Sequence, residues 1–357
     1  MSNTLPKMSY VTRSFGLLTA QEKYLGFDTS LDNNLAKQIE LLSSVTKLII
    51  QSEHMVFNST TSLTLHNDLV LISKNNITFA HSSYLTIEGN GNLYLKAGIN
   101  NGNTGGSVVF QSSSEQIKIE GDGKVYVHYN PPTQIEHKYK HGHSYTKFVA
   151  PSDRCEVYML VNNIEDLEDI AYAPYRNYAL GNDIEFSKGC NKYNFPITPT
   201  SKYHGGVGAF TGRLDGNGFT IKGLCISEAQ KPLVGLFNYM LGQANRHVVV
   251  KDIQLEGFDI AGKVYAGGLA GAGKYVDIEN LLLKDCNITG ESIVGGIFGS
   301  ATSITVRGLE VLSSHVESYK TNVSGLISGT IRESEVDSNL DCSYDNCYGF
   351  YYEHGTV

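Results

Sequence analysis

The 357-residue chain reads as all-β, a right-handed parallel β-helix with minor short helices. Three columns of residues predict it. Short apolar pairs recur as Leu224 and Ile226, Ile253 and Leu255, Leu281 and Leu283, Leu309 and Val311, and finally Val336 and Ser338, their first members stepping by 29, 28, 28 and 27 residues. A second column precedes it: Val248 and Val250, Val276 and Ile278, Ile304 and Val306, with Ile331 and Glu333 last. The third is glycine followed by bulk, at Gly235-Leu236-Phe237, Gly268-Leu269-Ala270, Gly296-Ile297-Phe298, Gly325-Leu326-Ile327 and Gly349-Phe350-Tyr351. A step of this length is one solenoid repeat.

Inside each pass the apolar residues alternate with period two, which means strand with one face buried. Asp252, Asn280 and Gly308, aligned with Gly223, stand where the alternation slips by one, so each marks a bend. Three short strands and three bends per pass describe one coil, stacked so that like residues lie on like. An antiparallel sandwich would supply strands and turns, but it gives no reason for columns in phase. Right-handedness follows the general chirality of parallel crossovers.

Composition agrees with a turn-rich β protein: 37 Gly, 22 Tyr, no Trp and 18% charged residues. A net charge of −8 without a basic run argues against nucleic acid as a main partner. No apolar run approaches the ~20 residues of a membrane span, so no membrane insertion is expected. Met1 to Gly26 shows no charged segment followed by a continuous apolar one, and no standard secretion signal is read there.

Taken in order, residues 1–54 read as an irregular or helical cap, with Leu31, Leu35, Ile39 and Leu42 on one face of an amphipathic helix. Such a segment would cover an exposed end of the stack. Residues 55–150 read as coils of looser period, built from Leu63-Thr64-Leu65, Leu69 to Ile72 and Ile77-Thr78-Phe79. The run Leu85 to Leu95 returns as Ile117 to Val127, 32 residues later, each reading strand, glycine turn, strand. Pro131 and Pro132 end that tract, since proline cannot donate to a ladder. His137, His141 and His143 follow among Lys138, Lys140 and Lys147. With Glu136 the sole acid beside them and lysines repelling a cation, they read as a solvated loop, not a metal site.

Residues 151–200 read as a connecting segment with a short helix over Asn162 to Ala171, signalled by an asparagine cap and acids in its first turn. Tyr178 to Ile184 is an alternating strand that re-enters the stack. Residues 201–357 carry the coils of about 28 residues described above.

The six cysteines, at 155, 190, 225, 286, 342 and 347, make no zinc spacing. They read as thiols buried where the stack needs something small, with Cys342 and Cys347 close enough in sequence for a disulfide.

Catalytic motifs are missing from the sequence. His54 and His354 each follow a glutamate without a second histidine at helical spacing, and neither a Gly-x-Ser-x-Gly elbow nor a phosphate-binding loop occurs. A lyase or glycosidase on a β-helix face would need clustered carboxylates, for which Asp215, Asp252, Asp277 and Asp285 are available. Yet Asp215 lies in Leu214-Asp215-Gly216-Asn217-Gly218, where aspartate is the ordinary turn residue, and Asp252 aligns with bend formers. Catalytic, cofactor-binding and metal residues are therefore read as none. Tyrosines on a long solenoid face would offer amphipathic contacts instead; the cluster of Tyr344, Tyr348, Tyr351 and Tyr352 near the carboxy end reads as an interrupted stack in preference to a contact patch.

Tyr158 to Leu167 and Tyr178 to Ile184 resemble a segment of filamentous-haemagglutinin-like bacterial exoproteins. Phe210 to Ile226, then Val234-Gly235-Leu236-Phe237 and its returns, look like the GLUG repeats of the same large adhesins. Residues 62–130 are similar to their repetitive shaft, so the resemblance runs from Ser62 to the end. It implies a right-handed parallel β-helix, a secreted or cell-surface location and no cofactor. The expected function is a non-catalytic β-helical segment of an adhesin, acting in attachment by extended display. A host-cell glycan or protein receptor and an outer-membrane secretion partner are the implied partners. The alternatives are a carbohydrate-active β-helix enzyme, either polysaccharide lyase or glycosidase, and an intracellular scaffold.

Overall fold

A computed structural model describes residues 23–26, 47–100, 105–131, 138–140, 142–187, 189–190, 195–199, 208–228, 231–321, 323–336 and 350–351. The helix read over Leu31 to Leu42, His137, His141, Cys342, Cys347, Tyr344, Tyr348 and Tyr352 lie outside these residues. The chain is an all-β parallel solenoid, and it divides into two compact units, Met1–Leu160 and Val161–Val357.

In the second unit a regular pass has three strands, as Ala270–Lys284, Asn287–Gly290 and Ile293–Gly295 illustrate. Each pairs in parallel with its counterpart one coil on: Phe298–Leu312, His315–Ser318 and Val323–Gly325. Ile253, Leu281 and Leu309 sit directly over one another, as do Val248, Val276 and Ile304, and all six are buried. Their shared interior is what removes apolar surface from water, at about 25 cal/mol per Å².

The bends occur where the alternation slips. Asp252, Asn280 and Gly308 hold φ of 52°, 54° and 64°. Tyr275, Ser303 and Glu333 form a second column at 54°, 52° and 47°, and Gly257, Asp285 and Ser313 a third at 63°, 52° and 48°. Left-handed backbone costs least for Gly and Asn or Asp, which fill the first column and two places of the third, whereas the second is held by Tyr, Ser and Glu.

The phase of the outer coils differs from the sequence alignment. Ile226 stacks on Ile260, and it is Ile221 that lies against Leu255, so the pair Leu224 and Ile226 does not continue into Ile253 and Leu255. Gly223 accordingly joins the column of Gly257 and Asp285 rather than that of Asp252. The cause is a longer coil: Leu241 pairs with Lys274, 33 residues on, whereas Val248 pairs with Val276, 28 on, so extra residues lie between Leu241 and Val248. At the far end Val336 pairs with Val306 and Ile331 with Ala301, displacing Val336 from Leu309 and Ile331 from Ile304. Gly325 pairs with Gly295 rather than Gly296, and Phe350 with Thr330. There the lengthening falls between Ser318 and Val323, since Gly290 pairs with Ser318 and Ile293 with Val323.

In the first unit Leu48–Ser52, Leu69–Ser73, Leu93–Ala97 and Val125–Tyr129 stack in parallel, and Cys155 to Met159 pairs on the last of these. The echo of 85–95 in 117–127 is a true register, Leu85 under Ile117 and Leu93 under Val125. Phe57, Phe79, Phe110 and Phe148 form a file, with successive ring centroids 4.2, 4.7 and 4.5 Å apart. Coil strands run past the boundaries read from sequence: Leu48–Ser52 lies within 1–54, and Lys23–Gly26 pairs with it. Nor do the prolines after Asn130 finish the tract, because Val149–Ala150 pairs with Ile117 and Lys118. A proline denies one ladder bond at its own position, and the next coil bonds elsewhere.

The helix is Ile164–Asp169, with the Asn163 side chain accepting from the Asp166 N–H at 2.8 Å. The strand expected after it appears as Asn177–Leu180 and Ile184–Glu185, paired to Arg213–Asp215 and Thr220–Lys222.

Two cysteines depart from the sequence reading. Cys225 points outward and is joined to Cys190 in a disulfide, with Cα atoms 4.5 Å apart. Nothing in their spacing of 35 residues signals it, because stacking brings together residues that are remote along the chain. Cys155 and Cys286 are free and buried as expected.

Candidate functional site

The longer coil of the second unit places its extra residues at a corner. Gln243 and Arg246 exchange backbone hydrogen bonds, each 2.9 Å, closing a tight hairpin with Ala244 and Asn245 at its tip. All four residues are exposed. A solenoid tolerates such insertions at bends because the ladder on either side is unbroken, and insertions of this kind commonly form a binding face.

The hairpin returns the chain at His247, against the strand Ala270–Lys284. His247 Nδ1 lies 2.9 Å from Asp277 Oδ1, and its ring centroid is 5.7 Å from that of Tyr275. Lys274 Nζ stands over the Tyr275 ring at 5.1 Å. Side-chain exposures of 29% for His247 and 27% for Asp277 leave both reachable from solvent yet held in place. A carboxylate facing Nδ1 selects the tautomer with hydrogen on that nitrogen, so neutral His247 presents Nε2 as an acceptor. Tyr275 is at a left-handed bend, one residue before the buried Val276. The bend rather than a loop fixes its backbone.

The other carboxylates named from sequence make contacts within the coils. Asp215 is buried, its Oδ1 accepts the Asn217 N–H at 2.8 Å and its Oδ2 meets Lys251 Nζ at 3.2 Å. Asp252 accepts from the Asn280 side-chain amide at 2.9 Å. Asp285 sits at a bend, 3.7 Å from Lys284 Nζ. Only Asp277 of the four belongs to the candidate site.

Charge on the neighbouring columns alternates. Asp215, Lys251, Glu279 and Arg307 follow one another up one column, and Lys222, Glu256 and Lys284 up another. A hydrogen bond from Lys222, at 3.1 Å, and the charge of Lys284 at 3.7 Å hold the Glu256 carboxyl below its ordinary value. A general acid needs the opposite shift, so Glu256 is placed to be an ion-pair partner.

Tyrosines in the first unit stack on each other. Tyr94 and Tyr126 lie 4.5 Å apart at an interplanar angle of 8°, so each ring covers a face of the other. That arrangement stabilises the ladder and spends a ring surface that a ligand would use. His143 is exposed with its backbone N–H donating to the Tyr129 hydroxyl at 2.8 Å, consistent with a loop position.

The two free thiols among the described residues are buried. Burial pushes the Cys155 thiol up to about 12 and the Cys286 thiol up to about 11, leaving both protonated at neutral pH.

The sequence does not single out His247 or Tyr275, because each alone is ordinary. The signal that could have found them is the break in repeat length between Leu241 and Val248. No family model, no curated protein and no solved structure matches this chain.

Proposed function

We propose that the chain is a non-catalytic β-solenoid segment of a bacterial secreted or surface adhesin of the filamentous-haemagglutinin-like, GLUG-repeat kind. It acts in attachment by extended display, and the ligand is a host-cell glycan held at the 243–246 hairpin and the His247–Tyr275–Asp277 group. The observation that carries this reading is an imidazole, a carboxylate and a phenol ring gathered on an outward corner of in-register coils. Sugar hydroxyls both donate and accept, so a fixed carboxylate beside an imidazole acceptor suits them, and tyrosine adds amphipathic contact at low entropy cost. The rigid ladder beneath keeps these groups preorganised, which reduces the cost of binding. The Cys190–Cys225 disulfide supports an oxidising location such as the cell exterior.

The test is binding of the purified chain to a glycan panel and to host-cell surfaces. Tyr275→Ala and His247→Ala are expected to weaken binding at least tenfold with unchanged thermal unfolding. Undiminished binding by both variants would move the site elsewhere. Incubation with anionic and neutral polysaccharides, followed for new reducing or unsaturated ends, distinguishes the carbohydrate-active enzyme; turnover abolished by Asp215→Asn would replace the adhesin reading.

A further inference from the structure

We infer that Cys190, Cys225 and Asp259 form a thiolate–carboxylate metal site when the disulfide is reduced, taking a zinc-class divalent ion. Disulfide and metal are then alternative states of one corner of the coil. The inference does not depend on the adhesin reading.

The two sulfurs and an Asp259 oxygen all lie within 4.8 Å of one another, on the outside of the second unit. Stacking creates the cluster: Cys225 pairs with Asp259 in the next coil, and the bridge brings Cys190 to them. Asp259 is already aimed. Its Oδ1 accepts from the Asn287 side-chain amide at 2.9 Å, one coil further on, and its Oδ2 stands 3.8 Å from Cys225 Sγ. A disulfide sulfur carries no hydrogen, so it offers that oxygen no hydrogen bond. A metal bound by two thiolates would use it. Donors around tetrahedral zinc stand roughly 3.5–3.8 Å apart, given bonds of about 2.3 Å to sulfur and 2.0 Å to oxygen. The Oδ2-to-Sγ separation is thus close to the required one, and reduction lets the two sulfurs part.

The chemistry balances. A dithiol or phosphine reductant delivers two electrons and two protons across the S–S bond, giving two thiols. Metal binding then releases two protons as the thiolates form, with Asp259 the third ligand and water the fourth. Asn287 acts as the outer partner that orients the carboxylate. The reduced chain would hold metal; a two-electron oxidant such as a small-molecule disulfide, itself reduced to two thiols, re-forms the S–S bond and releases the ion.

The experiment uses the full chain, reduced with a phosphine that is then removed under argon, and titrated with Co²⁺ as the spectroscopic stand-in for zinc. The expected result is a thiolate-to-cobalt charge-transfer band that Zn²⁺ abolishes, seen in the reduced chain and not in the oxidised one. Cys190→Ser should remove the band, which separates this site from the remaining thiols. Asp259→Asn, nearly the same shape, should weaken Co²⁺ binding at least tenfold, and Asn287→Ala by about tenfold. A band that survives Cys190→Ser, affinity unchanged in Asp259→Asn, or no band in the folded reduced chain would each overturn the proposal. Loss of the coil's circular dichroism on reduction alone would also overturn it, since the site requires the stacked strands.

Discussion

Asn280 donates its side-chain amide to the Asp252 carboxylate one coil away, at 2.9 Å, while both residues hold left-handed backbone at 54° and 52°. The pair performs two tasks in one column: it turns the chain and ties adjacent turns together. Asn280→Val should therefore cost about 2–4 kcal/mol, from left-handed strain and the lost hydrogen bond. Asn280→Gly should cost far less, since Gly308 already fills the same column. Guanidinium unfolding midpoints measure the difference, and equal midpoints would contradict the assigned role.

Leu281 lies between Ile253 and Leu309 in the buried file. Leu281→Ala is expected to destabilise by about 2–5 kcal/mol, as cavities in close-packed interiors do. Because Ile253 and Leu281 share an interior, combining Ile253→Ala with it should depart from additivity by about 0.5–3 kcal/mol. Denaturant titrations of the single and double variants check both values.

Glu256 gives a pH dependence with a definite sign. Lys222 and Lys284 hold its folded-state value below the ordinary 4.5, so the carboxylate contributes stability above 4.5 and loses it as pH falls through the lower folded value. Replacing Glu256 with Gln should flatten the decline in stability below pH 4.5 and change the neutral-pH plateau little, because exposed pairs contribute weakly. Thermal unfolding across acidic pH reads it.

Cysteine labelling separates two environments among the described residues. Cys155 and Cys286, buried and protonated, should resist iodoacetamide in the folded chain at neutral pH and react only on unfolding. Peptide mapping should recover Cys190 and Cys225 joined until reductant is added. Cys190→Ser is expected to lower stability by about 2–4 kcal/mol, the usual loss for a cross-link.

The parts of this fold legible in the sequence are those where consecutive coils have equal length. From Val248 onward the steps of 28 residues in Ile253, Leu281 and Leu309 report a real stack. Before Val248 and after Ser318, extra residues at corners shift the phase, and Leu224 and Val336 fell into false alignment. An apolar pair looks alike in any column, so periodicity alone cannot detect a shift that a corner absorbs. The bends were legible at Asp252, Asn280 and Gly308, where side-chain type and left-handed backbone agree; Tyr275 was not, since tyrosine does not advertise a positive φ. The candidate site rests on that residue and on an insertion, and the disulfide on two cysteines with no spacing signature.

The alternation of Asp215, Lys251, Glu279 and Arg307 bears on how the chain avoids assembling wrongly. Coils with nearly interchangeable interiors could dock after skipping a neighbour, a hazard of repetitive chains. A skip would set Lys251 against Arg307 and Asp215 against Glu279, sign facing sign. Alternating charge thus tells a neighbouring turn from the next but one, which the hydrophobic files leave indistinguishable.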